Sequence, residues 1–185
     1  AWRRFKGLPR SVFGTAFAHI GLGVTTMGIV FVTSLEVEQI AVMKPGDTMP
    51  VAGYTLRYEG ISPVSGPNFT EDQGRFTYLD SAGREMGTFI SAKRLYTARQ
   101  MPTTEAGIVT RGFSQLYVSL GDPATGGGIV VRAWWKPMVL LIWIGGVFMM
   151  LGGTISLLDR RLRVGAPAAR KQKAAPTVEA GAVAK

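Results

Sequence analysis

The chain has 185 residues, with 21 Lys+Arg against 12 Asp+Glu, one histidine and no cysteine. The missing cysteine excludes disulfides, a thiol nucleophile and thiolate metal ligands. A strongly basic balance normally invites a nucleic-acid reading, but the charge is placed elsewhere. Residues 1–34 carry Arg3, Arg4, Lys6 and Arg10 with no acid, a net of +4; residues 35–136 carry ten bases and ten acids, a net of zero; residues 137–185 carry seven bases and two acids, a net of +5. The excess flanks the middle of the chain and avoids it, which argues against nucleic acid as a partner.

A basic segment, residues 1–10, comes first. Residues 11–34, SVFGTAFAHIGLGVTTMGIVFVTS, follow without one Lys, Arg, Asp or Glu. About 20 apolar residues rising about 1.5 Å each cross a hydrocarbon core of about 30 Å, so this run predicts a transmembrane helix. A second uncharged run, MVLLIWIGGVFMMLGGTISLL, fills residues 138–158 and stops at Asp159, Arg160 and Arg161; with Pro137 it gives a second span over 137–158. Both runs are rich in glycine, as membrane helices that pack closely often are. The first is too long for a signal-peptide h-region, and no A-x-A-like site follows it. Basic flanks around a neutral middle are the positive-inside pattern. It places both termini in the cytoplasm, in contact with anionic membrane lipid, and residues 35–136 on the periplasmic side.

The middle changes to strand periodicity. EVEQIAVM (36–43) alternates polar and apolar residues, KPGD (44–47) turns, and YTLRYEGI (54–61) alternates again. RFTYLD (75–80) and REMGTFISAKRLY (84–96) form a hairpin about SAG (81–83). GIVTRG (107–112) pairs with SQLYVSLGD (114–122), and ATGGGIVVRAWW (124–135) ends on a last strand. Six or seven short strands predict a small barrel or sandwich. The fold class is therefore a membrane protein in which two antiparallel transmembrane helices flank a β-rich periplasmic domain. Residues 159–185 form a basic cytoplasmic tail, and its Ala-, Pro- and Lys-rich part from 164 predicts disorder.

Little in the middle segment points to chemistry. Glu71 and Asp72 are adjacent, so on a strand they face opposite ways. The GPN at 66–68 reads as a turn, lacking the GxxxxGK of a phosphate loop. Serines there have no histidine partner, which disfavours hydrolase chemistry. Trp134 and Trp135, beside Lys136 and just before the second span, read as an interfacial belt; Trp2 and Trp143 read as interface and helix-packing residues.

His19 lies inside the first span. Ionisable residues in a bilayer face a partner or a ligand. Its helical neighbours are Thr15, Ala16, Leu22 and Gly23, three of them small, leaving room for something broad and flat. With the span centred near residue 23, the imidazole sits roughly 6 Å to the cytoplasmic side of the midplane. One lone pair suits haem iron; a hydrogen bond to another helix and a proton-relay step are the alternatives.

Seven stretches stand in a fixed order: AHIGLGV around His19, GPNFT at 66–70, AKRLYT at 92–97, TTEAGI at 103–108, QLYVSLGD at 115–122, KPMVLLIWIGG at 136–146 and LGGTISLLDRRLR at 151–163. Together they resemble the C-terminal end of the CcmF family, the large membrane subunit of the bacterial cytochrome c maturation haem lyase. Their order and spacing carry the resemblance, which runs from about residue 10 to 163. It implies that His19 is one axial ligand of a membrane haem b, the metal being its iron. It further implies a role in reducing haem that the chaperone CcmE delivers, for attachment to apocytochrome c. The implied partners are the upstream part of the same lyase, with the second axial ligand, CcmE, a CcmH-type apocytochrome-handling subunit and apocytochrome c. Family members are several times longer, and their tryptophan-rich haem segment lies upstream; AWWKP is not that segment. The start at Ala1 fits a C-terminal fragment or split-gene product, a subunit that is not catalytically complete alone. A rival reading is a non-catalytic two-span protein whose outer β-domain docks partners.

Overall fold

The computed structural model describes residues 9–159. Most of the basic N-terminal segment, with Trp2, and the tail expected to be disordered lie outside them.

Two helices frame the described residues, α1 (Arg10–Leu35) and α2 (Leu140–Leu157). At 1.5 Å per residue they are about 39 and 27 Å long, and both are apolar enough to cross a membrane. Three of their threonines return their hydroxyls to the helix backbone, which suits a water-free surrounding: Thr26, Thr33 and Thr154 donate to the carbonyls of Leu22, Ile29 and Met150, each at 2.9 Å. The pair is antiparallel and joined along a glycine seam. Gly14, Gly21 and Gly28 recur every seventh residue on α1 and meet Gly152, Gly145 and Ile142 on α2. A Cβ built on Gly21 would lie 2.6 Å from the Gly145 carbonyl oxygen, and one on Gly14 the same distance from that of Gly152. Only glycine lets the backbones approach so closely. Phe17 and Phe148 flank the seam, with ring centroids 5.9 Å apart. At the end where α1 begins, the Ser11 N–H donates to Asp159 Oδ2 at 3.0 Å, so a buried carboxylate beyond α2 caps α1.

Between the helices nine strands are described: β1 (Val37–Met43), β2 (Thr48–Val51), β3 (Tyr54–Ser65), β4 (Phe69–Leu79), β5 (Glu85–Tyr96), β6 (Met101–Glu105), β7 (Gly107–Arg111), β8 (Ser114–Pro123) and β9 (Ile129–Lys136). They form two antiparallel sheets, ordered β1-β9-β8-β7 and β2-β3-β4-β5-β6, face to face as a sandwich. The closed-barrel alternative is not formed. The count exceeds the six or seven expected because β2 and β6 each carry a proline, Pro50 and Pro102. Both are edge strands, where a missing N–H leaves no central ladder bond unmade. β3 and β4 also run further than expected, through a bulge at Tyr58/Gly60 to a turn at residues 66–68.

Alternate side chains from both sheets fill the core: Leu56, Phe76, Val118, Val131 and Ala133 are fully enclosed, with Met43, Val51 and Leu116 beside them. Phe76 stacks on Phe89 at 5.6 Å. Gly74 is needed at the sheet-to-sheet contact, where a Cβ would lie 2.8 Å from Leu120 Cδ1.

The register fixes how the sandwich stands on the helices. β1 follows α1 after Glu36 alone, and Val37 pairs with Trp135 near the end of β9. The turns after β2, β4 and β7 therefore lie at the helix end of the sandwich. The turns near residues 45, 67, 98 and 126 lie at the far end. The paired tryptophans divide between the two faces of the sheet. Trp134 and Trp135 face opposite sides of β9: Trp135 packs on Tyr54 at 5.2 Å against the core, while Trp134 meets Tyr117 at 5.3 Å on the outer face, with Arg132 stacked on it. Trp143 is 69% exposed and turned away from α1, so among the described residues it takes no part in packing the two helices together.

Candidate functional site

His19 sits on the face of α1 opposite the seam. At about 100° per residue it stands roughly 140–180° around the helix from Gly14, Gly21 and Gly28. Its ring is exposed, and its Nδ1 lies 2.8 Å from the Thr15 carbonyl oxygen. A carbonyl only accepts, so Nδ1 carries the proton and donates. In the neutral ring this contact leaves the lone pair on Nε2, which makes no hydrogen bond among the described residues. A backbone carbonyl that holds Nδ1–H is a common orienting contact for a metal-ligating histidine. The imidazole makes no hydrogen bond to α2, so the interhelical bond considered from the sequence is not formed among the described residues.

The surface around the ring is shallow. Thr15, Ala16, Leu22 and Gly23 are all exposed, and a Cβ on Gly23 would meet nothing within 4 Å. The glycine content of this helix thus divides by face: Gly14, Gly21 and Gly28 admit α2, while Gly23 leaves open area beside His19. Among the described residues, no group of three or more His, Asp or Glu side chains converges on a metal position.

In the sandwich, Glu71 and Asp72 do face opposite ways, the first buried and the second exposed. Glu71 accepts from Gln73 Nε2 at 2.6 Å and from Arg94 Nε at 2.7 Å. The Gln73 hydrogen bond and then the Arg94 guanidinium hold its carboxyl below the usual range. Arg94 also lies 4.2 Å over the Phe69 ring and donates to Tyr96 Oη at 3.4 Å. The cluster is a satisfied structural pair, since both carboxylate oxygens and the guanidinium are occupied. The sequence reading did not find it. Its signal is the pairing of β4 with β5, which sets Glu71 opposite Arg94. Glu71 and Arg94 also line an open cleft of about 400 Å³, together with Asp72, Lys93, Thr70 and Leu95.

The family model described as the CcmF C-terminal beta-sandwich matches residues 34–137. The cytochrome c-type biogenesis protein CycK of Rhizobium meliloti is 62% identical over 172 residues, 92% of this chain and 25% of that protein. The protein of the same name from Bradyrhizobium diazoefficiens is 48% identical, over 95% of this chain and 27% of its own. CcmF of Pseudomonas aeruginosa is 40% identical, over 86% of this chain and 24% of its own. The chain thus spans about a quarter of the length of these curated relatives. A solved structure titled cytochrome c heme lyase CcmF shares the fold, with a TM-score of 0.67 at 16% identity, over 80% of this chain and 25% of that one. By the match across its sandwich and by these relatives, the chain belongs to the CcmF family.

Proposed function

We propose that this chain is the C-terminal part of a haem lyase subunit in cytochrome c biogenesis, with His19 supplying one axial ligand to a membrane haem b. The observation that carries the reading is the His19 ring. It stands on the free face of an apolar helix, with its Nδ1 held by Thr15 and its Nε2 making no hydrogen bond among the described residues. Haem bound there would supply one-electron redox chemistry, supporting the reduction and attachment of haem to apocytochrome c. The chain's own part is to hold and orient. Thr15 O fixes the ring, Ala16 and Gly23 leave contact area beside it, and the glycine seam keeps α2 on the other side. The second ligand comes from the upstream part of the same lyase. Haem arrives from CcmE, and a CcmH-type subunit presents the apocytochrome. The charge pattern supports the topology: the basic flanks, 1–10 and 159–185, are cytoplasmic, and the neutral residues 35–136 are periplasmic.

The test is the optical spectrum of the dithionite-reduced full-length protein, with His19→Ala and His19→Gln compared with the unsubstituted form. The b-type α band should weaken or shift in both variants while the protein stays folded and inserted. Glutamine keeps hydrogen-bonding capacity but ligates iron poorly, so an unchanged spectrum in His19→Gln would return His19 to a packing role. The second reading, a sandwich that docks partners, is favoured by one observation. The outer face of the four-stranded sheet exposes Ile40, Val42 and Ile108, each more than half accessible.

A further inference from the structure

We infer that the β7–β8 hairpin is a third membrane foot of the sandwich, with Phe113 at its tip entering the lipid interface beside the first turn of α2. The inference rests on the two helices crossing a membrane and on the backbone that joins this hairpin to one of them. The Phe113 carbonyl accepts from the N–H of Leu140, the first residue of α2, at 3.1 Å. Ser114 Oγ accepts from the Met138 N–H at 3.0 Å. Met138 itself sits at φ +54°, a left-handed conformation that costs a non-glycine residue energy and persists where the surroundings hold it. The tip is thus pinned to the level at which the second apolar run begins.

The side chains at the tip suit that level. Phe113 is 52% exposed, and Gly112, at φ +59°, makes the turn. The one cation of the hairpin is withdrawn from it. Arg111 folds back under Tyr78, its guanidinium 5.2 Å from the ring centroid and its Nη2 donating to Tyr78 Oη at 2.5 Å. What remains at the tip is a glycine and an aromatic ring. Leu35 at the end of α1 and Met138 at the entry to α2 are exposed apolar residues of the same end. An aromatic ring belongs in the headgroup region, where it loses water without losing a polar partner. The other two turns at the helix end differ: Asp80–Arg84 is charged, and Val51–Tyr54 is drawn in by Tyr54 against Trp135. The interface contact is therefore one-sided and sets the tilt of the sandwich over the bilayer.

The chain has no cysteine, so a nitroxide can be attached at single introduced sites in the full chain, reconstituted in phosphatidylcholine vesicles. Three positions are compared by collision with oxygen, which concentrates in lipid, and with a water-soluble nickel chelate. Val147→Cys reports the outer face of α2, Thr125→Cys the far end of the sandwich, and Phe113→Cys the tip. The ratio of oxygen to nickel access should be high at 147, low at 125, and several-fold above 125 at 113. A low ratio at 113 beside a high one at 147 would overturn the inference while leaving the spans standing. A low ratio at 147 would remove the spans and the inference together. Poor access to both reagents at 113 would mean that protein covers the tip, and would overturn the lipid assignment.

Discussion

The glycine seam allows a matched pair of substitutions one residue apart. At Gly145 an added Cβ would lie 2.1 Å from Thr25 Oγ1, 2.5 Å from the Gly21 carbonyl oxygen and 2.6 Å from the Thr25 nitrogen. At Gly146, on the outer face, it would meet nothing within 4 Å. The Thr25 hydroxyl can rotate aside, because its hydrogen bond to Ile142 O is long, at 3.4 Å. The Gly21 carbonyl is backbone and cannot. Restoring a 3.4 Å contact from 2.5 Å requires the helices to part locally by the difference, 0.9 Å. Both alanines gain the same helix propensity over glycine, about 1 kcal/mol, so that contribution cancels between them. The remaining difference is the overpacking cost, about 1–3 kcal/mol, which is roughly a five- to 150-fold difference in the separation equilibrium. A donor–acceptor pair on cysteines at Val12 and Leu158, both exposed and outside the seam, reports helix separation during a titration with sodium dodecyl sulfate in mixed micelles. Gly145→Ala should separate at lower detergent fraction, while Gly146→Ala matches or exceeds the parent. Equal midpoints for the two alanines would refute the seam as the contact that holds the helices.

Two further outcomes concern the sandwich. Phe76→Ala removes a fully enclosed ring that packs on Tyr58 and Phe89; it should cost about 3–5 kcal/mol, read as a lowered urea midpoint, and a loss under about 1 kcal/mol would contradict this packing. The carboxyls of Glu71, Glu59 and Asp80 are held below their ordinary values, first by the hydrogen bonds from Gln73, Thr77 and the Arg84 backbone, respectively. A depressed carboxyl stabilises the fold above its unfolded pKa, and that contribution is lost as pH falls through the folded one. The urea midpoint should therefore hold near neutrality and drop once pH passes below 4.5, the ordinary glutamate value. Glu71→Gln should flatten part of that drop, and a midpoint constant down to pH 3 would count against these pairings.

Local patterning carried much of this protein into view. Uncharged runs of bilayer length, basic flanks and a neutral alternating middle are properties of neighbours in the chain. They marked two apolar helices around a β-rich domain before any contact was known. His19 was conspicuous for the same reason, as an ionisable group within an apolar run. Other features depended on partners far away in sequence. β2 and β6 each carry a proline, Pro50 and Pro102, and only the strand order shows that both lie at sheet edges, where a missing N–H is tolerated. Glu71 pairs with Arg94 through the register of β4 and β5. Trp134 and Trp135 looked alike in the sequence, but the pleat sent them to opposite faces of β9. The glycines of α1 likewise divide only when α2 is laid against them, three into the seam and Gly23 beside His19. The hydrogen bonds that bring Phe113 to Leu140 join residues distant in sequence. Composition and periodicity record what each residue prefers. Which surfaces meet is set by close packing and hydrogen-bond pairing between segments distant in the chain, and that is decided only when the whole chain has folded.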